Sequence, residues 1–141
     1  MNELTEIQIS VDSGLFILIW LVQLIIYPSF RYTKAEDFIQ WHSRYTFLMG
    51  LIVSPLMLIQ VGIEGFFLCR GEIRWWRLAT IALIWLATFT LAVPCHRQLQ
   101  HHGKVLSTID RLVITNWLRT VLWSLLFFNT VFAAYNLPLL P

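Results

Sequence analysis

The chain has 141 residues, of which 57% are hydrophobic and 13% charged, against about 45–50% and about 25% in an ordinary soluble domain. Its mean hydropathy is +0.66, which excludes a soluble globular domain, and its length allows a single domain. The formal net charge of +2, with no run of like charges, gives nucleic acid no electrostatic footprint.

Apolar stretches near the ~20 residues needed to cross a bilayer recur along the chain, so we expect an all-α integral membrane protein. Residues 1–13 carry Glu3, Glu6 and Asp12 but no Lys or Arg. That is the opposite of a signal peptide's basic leader, and the first span is expected to stay in the mature protein. Four spans are predicted, at about 14–28, 44–68, 75–96 and 111–135. Pro28 ends the first, because proline cannot continue a helix comfortably. Pro55 is expected to kink the second. Trp75 and Trp76 open the third with rings suited to the membrane interface. Ser107-Thr108-Ile109-Asp110 has the spacing of a capping box and marks the start of the fourth.

Short connections favour antiparallel neighbours, hence a four-helix transmembrane bundle forming one domain over residues 1–141. No internal repeat is evident. Cys69 and Cys95 fall at opposite faces of such a bundle, which excludes a disulfide between them. Neither belongs to a Cys-x-x-Cys pair. Arg31, Lys34, Arg44, Arg97, Lys104 and Arg111 cluster at the face of the first and third loops, whereas Arg70, Arg74 and Arg77 lie at the other. The positive-inside rule then puts both termini in the periplasm of a bacterial inner membrane.

Polar groups inside a span cost free energy unless they find partners or water, which makes them functional candidates. Gln23 and Tyr27 close the first span, Trp41, His42, Arg44 and Tyr45 open the second, Pro94, Cys95, His96 and Arg97 close the third, and Asn116, Trp117 and Arg119 open the fourth. All meet at the cytoplasmic face. The spacings Trp20–Gln23–Tyr27 and Asn116–Thr120–Trp123 put each set on one helical side. A polar pocket follows, with Gln23, Tyr27, Asn116, Trp117 and Arg119 as ligand-binding candidates and His42 and His96 as acid–base candidates. Imidazoles also ligate metals or haem, so His42 and His96 are candidate metal ligands too, although no His-Glu-x-x-His spacing is present. Simpler readings exist for each group. Arg44, Arg97 and Arg111 can snorkel to headgroups, Tyr27, Trp41, Tyr45, Trp75 and Trp76 can form interface belts, and Gln23 and Asn116 can hydrogen-bond between helices. At the far end of the second span Gln60 stands ~27 Å from His42, and Glu64, one turn further on, is expected to pair with Arg70, Arg74 or Arg77.

Several segments resemble a family of small uncharacterised four-helix bacterial integral membrane proteins. They are Trp20-x-x-Gln23-x-x-x-Tyr27-Pro28, Phe38-x-x-x-His42, Pro55-Leu56-Met57-x-x-Gln60, Val93-Pro94-x-His96-x-x-Leu99 and Leu112-Val113-x-x-Asn116-Trp117-x-Arg119-Thr120-x-x-Trp123. That family often carries Glu where Gln60 stands. The pattern is also distantly similar to anthrone-oxygenase-like membrane proteins. This likeness implies chemistry on a flat aromatic substrate or quinone, with His42 and His96 as acid–base or metal groups and Asn116 and Arg119 holding a ketone or phenolate oxygen.

The leading expectation is therefore a membrane-embedded pocket that binds, and acts on, a lipophilic small molecule such as a quinone or aromatic ketone. A non-catalytic subunit of a larger membrane complex is the second reading. A small channel or transporter built by homo-oligomerisation, with Glu64 and Arg119 as path residues, is the third.

Overall fold

The computed structural model describes residues 3–135. Long apolar runs without aqueous partners satisfy their backbone groups internally, and helices do this within one segment. Four result: α1 (Glu3–Tyr32), α2 (Phe38–Cys69), α3 (Trp75–His102) and α4 (Leu106–Tyr135). No strand occurs among the described residues. Each helix is long and apolar enough to cross a membrane, and at 1.5 Å per residue each exceeds the ~30 Å hydrocarbon core. The apolar stretches read from the sequence lie inside these helices, and the polar residues between positions 3 and 13 are part of α1.

The helices are joined by short turns. After α2, the Gly71 backbone sits at φ 80°. Its N–H reaches the Leu68 carbonyl while that of Glu72 reaches the Phe67 carbonyl, a Schellman closure that needs glycine's freedom at positive φ. Gly103, at φ 74°, ends α3 in a similar left-handed backbone.

Two expectations about helix ends require correction. Ser107 does not cap α4, which starts at Leu106, and the first-turn N–H groups of Thr108 and Ile109 are taken by the Val105 carbonyl. Pro28 does not end the first helix, which continues through it to Tyr32. Pro55 lies within α2 without ending it.

Both α1 and α3 contain a π turn, Val22–Ile26 and Thr88–Ala92. The N–H of Tyr27 bonds the Val22 carbonyl, and that of Val93 bonds the Thr88 carbonyl, each five residues back. A proline follows one residue later in each case, Pro28 after Tyr27 and Pro94 after Val93. The ring of a helical proline clashes with the carbonyl four residues earlier and offers no N–H to it, and a widened turn just before the proline relieves both problems.

The helices form a ring in which α1 packs against α2 and α4, and α4 packs against α3. Side-chain bonds tie α1 to α4 along its length: Gln8 to Thr130 at 3.2 Å, Trp20 to Ser124 at 3.1 Å, and Asn116 to Gln23 at 2.8 Å. The ring closes less tightly between α2 and α3, which touch through the Trp75–Ala87 and Val93–His102 stretches but hardly at the π turn between them. Leu15, Ile19, Ile84, Leu112 and Leu126 fill the core. Leu24, Ile25, Leu51, Leu58, Leu86 and Val121 face outward, the apolar exterior that a lipid environment favours.

Candidate functional site

The parting of α2 and α3 opens a cavity of about 490 Å³. Its depth is apolar: Leu15, Leu18, Ile19, Val53 and Met57 line it together with Trp85. Its other end is polar, formed by Tyr27, His42, His96, Gln100 and Arg119. Gly50 and Ser54 on α2, with Phe89, Val93 and Arg97 on α3, are exposed members of the wall. The mouth therefore lies on the side of the bundle, between these two helices.

The polar end is a continuous chain of hydrogen bonds. Arg119 donates to the Tyr27 hydroxyl at 3.1 Å. Tyr27 Oη lies 3.0 Å from His96 Nε2, His96 Nδ1 lies 3.0 Å from His42 Nε2, and His42 Nδ1 lies 3.1 Å from Gln100 Oε1. One polarity satisfies every link. Guanidinium can only donate, so Tyr27 accepts from it and gives its own proton to His96 Nε2; a neutral imidazole then carries its hydrogen on the other nitrogen. Both histidines are thereby set as Nδ1–H tautomers, each donating toward Gln100. A proton taken up at Tyr27 can be passed along this chain away from Arg119.

The imidazoles are held by packing. Phe30, fully buried, sits 5.7 Å edge-on to His42 and 6.3 Å from His96, and Phe38 stacks on His42 at 5.5 Å. Phe30 and Phe38 come from the two helices that meet at this end, so the turn between α1 and α2 itself positions the pair. On α3, the π turn and Pro94 stand just before His96.

Behind Arg119 lies a second layer. Asn116 Oδ1 accepts a short hydrogen bond from Arg119, Asn116 Nδ2 donates to Gln23, and Gln23 Nε2 donates to the Val113 carbonyl. Of the residues singled out in the sequence, Tyr27, His42, His96 and Arg119 thus meet on the cavity wall. Gln23 and Asn116 stand behind that wall and orient the guanidinium. Trp117 is exposed and packs edge-on to Trp20 at 5.8 Å, away from the cavity. Gln100 and Tyr45 line it as well. Tyr45 reads as a belt aromatic from sequence, and only its place one turn after His42 hints at the cavity.

The two histidines do not suit a metal. Among the described residues no group of three or more His, Cys, Asp or Glu is placed to hold an ion. The facing nitrogens bond each other at 3.0 Å, closer than the ~3.3 Å at which a tetrahedral ion with Zn–N bonds of about 2.0–2.1 Å would hold them. The rings, 5.2 Å between centroids, leave no space for a porphyrin between them.

Charge is arranged differently at the two ends of the bundle. At the far end, Arg77 is 2% exposed and lies 2.8 Å from Asp12 and 2.7 Å from Glu64. Arg74 bonds Glu64 at 2.8 Å and Gln8 at 3.0 Å. Burial lowers the Arg74 pKa from its ordinary value, and the Glu64 carboxylate opposes that shift. Thr130 and Gln60 both donate to Asp12, at 2.6 Å each. Sequence reasoning pairs Glu64 with this arginine group but misses Asp12 and Thr130. Arg70 turns instead to the Phe66 ring, 5.5 Å away. Arg119, by contrast, is buried with only neutral partners, Tyr27 and Asn116. No carboxylate among the described residues pairs with it. Compared with family models, curated proteins and solved structures, the chain matches none.

Proposed function

We propose that this protein is an antiparallel four-helix bundle of the bacterial inner membrane that binds a lipophilic small molecule with an oxygen-bearing head, of the quinone or aromatic ketone type, in the cavity between α2 and α3. The observation that carries the reading is the contrast within one cavity. Apolar walls lead to a buried guanidinium that lacks a counter-charge. A buried charge with only neutral partners is poorly compensated, and a ligand oxygen with partial or full negative charge supplies what Arg119 lacks. The ligand's hydrophobic body fills the remaining volume, the usual construction of a small-molecule site.

Tyr27 and Arg119 hold the oxygen in this reading. His96 and His42, one and two hydrogen bonds behind Tyr27, exchange its proton with the helix end at Gln100, which makes them the acid–base pair if the ligand is transformed. The lateral mouth supports uptake from the lipid phase.

The test is extraction and mass spectrometry of protein purified in mild detergent, alongside binding of a naphthoquinone. A near-stoichiometric oxygenated aromatic or isoprenoid molecule is expected in the wild type, with at least a tenfold loss of naphthoquinone affinity in Arg119→Met. Recovery of bulk phospholipid alone, with naphthoquinone binding equally weak in both proteins, would sink the reading.

A further inference from the structure

The hydrogen-bonded chain leaves part of Arg119 unused. Its bonds to Tyr27 and Asn116 both leave from Nη2, so Nε and Nη1 have no partner among the described residues. The Tyr45 hydroxyl makes no hydrogen bond among them either. Both residues line the cavity. Among the described residues that are not exposed, Trp85 Nε1 alone is an enclosed side-chain nitrogen or oxygen without a partner. The unpaired atoms of Arg119 and Tyr45 therefore keep accessible surface. Arg119 is otherwise buried, at 8% exposed, and what it exposes belongs to the cavity wall.

Tyr45 belongs to the same end of the cavity. Its ring lies 6.3 Å from that of His96 and 6.4 Å from that of His42, and its phenol interacts electrostatically with Tyr27 and Arg119. The acceptors here are already occupied. Tyr27 and Asn116 Oδ1 accept from Arg119, and Gln100 Oε1 accepts from His42. No Asp or Glu lies on the cavity wall. What remains for a ligand head is a set of N–H and O–H donors around one uncompensated positive charge. A neutral carbonyl takes up some of those donors and none of that charge, whereas hydrogen bonds to an ionised oxygen are roughly twice as strong. The donors also come from two helices, Tyr45 from α2 and Arg119 from α4.

We infer that the ligand head is an anion whose charge is spread over two oxygens, as in an ionised hydroxyquinone, and that Tyr45 is a ligand-binding residue donating to it beside Arg119. The inference rests on the proposed ligand site and narrows its occupant from quinones in general to acidic ones. Charge spread over two oxygens lets the head use the donors of both helices. A plain quinone leaves the guanidinium without a counter-charge. Tyr45 and Arg119 are then specificity-determining residues, discriminating by a group that the plain quinone cannot supply.

Two probes test this: a naphthoquinone bearing a decyl chain, and the same molecule with an acidic hydroxyl on the adjacent ring carbon. Wild-type protein in detergent at neutral pH is expected to prefer the hydroxyquinone by about tenfold. Tyr45→Phe, which keeps the ring packing and removes the O–H, should narrow that preference several-fold, and Arg119→Met should abolish it. In buffer about one unit below the hydroxyquinone's own pKa, the bound molecule should still show the absorption of its anion, because a nearby positive charge favours the ionised form. Equal affinity of the wild type for both probes overturns the inference, as does a bound spectrum of the neutral form, and neither result needs a variant to fold. A preference that survives unchanged in Tyr45→Phe removes Tyr45 from the site and overturns its part. Failure of the wild type to bind either probe instead defeats the underlying ligand-site reading.

Discussion

Arg77 lies between the Asp12 and Glu64 carboxylates, whereas Arg119 is surrounded by a phenol and an amide. Truncating one member of a buried, hydrogen-bonded ion cluster leaves the others buried and unpaired, which costs about 3–5 kcal/mol. Arg77→Ala is accordingly expected to lower stability by about that amount in a thermal or denaturant melt in detergent. Adding Asp12→Asn and Glu64→Gln to the same protein should recover much of the loss, because the stranded charges are then gone. Arg119 behaves in the opposite sense. Replacing it with Met removes a charge that has no partner, so stability is held or gained while ligand affinity falls. That split between stability and binding separates a residue that holds the fold from one kept for a ligand.

The shared element of α1 and α3 is a π turn followed at once by X-Pro, and it delivers Tyr27 and His96 to opposite ends of one hydrogen bond. Single π turns within α-helices are frequent at functional sites. Here the cause is chemical, since each widened turn accommodates a proline ring. Pro94→Ala allows Thr88–Ala92 to relax toward a regular helix, which rotates His96 away from Tyr27 and His42. Helix content by circular dichroism should stay unchanged, while affinity for the naphthoquinone falls several-fold. This element also shows what could be read from sequence. Gln23, Tyr27, His42, His96, Asn116 and Arg119 were legible as one polar end because each interrupts an apolar run at the matching depth. The prolines signal a disturbed helix, but a π turn is a choice between carbonyls four and five residues back, and no residue type declares it. Asp12 and Thr130 were illegible for another reason. Their burial depends on where α1 and α4 place them beside Arg77, while in the sequence Asp12 belongs to an acidic segment that precedes the first predicted span.

At the scale of the whole molecule, four helices are held together by two polar layers at the ends and a modest apolar core, with the weakest side of the ring between α2 and α3. A ligand that occupies the cavity bridges that side and binds only the folded bundle. Saturation at about a hundred times Kd should add about 2.7 kcal/mol, so the wild-type melting temperature should rise with naphthoquinone concentration and that of Arg119→Met should not. Gly50, Ser54, Phe89 and Val93 put the opening on the flank of the bundle rather than at a helix end. In a bilayer, such an opening samples the hydrocarbon phase and not the aqueous one. Occupancy is then governed by the mole fraction of ligand among lipids, so a hydrophobic compound scarcely detectable in water can still saturate the protein, and enlarging the bilayer around a fixed amount of ligand would empty it.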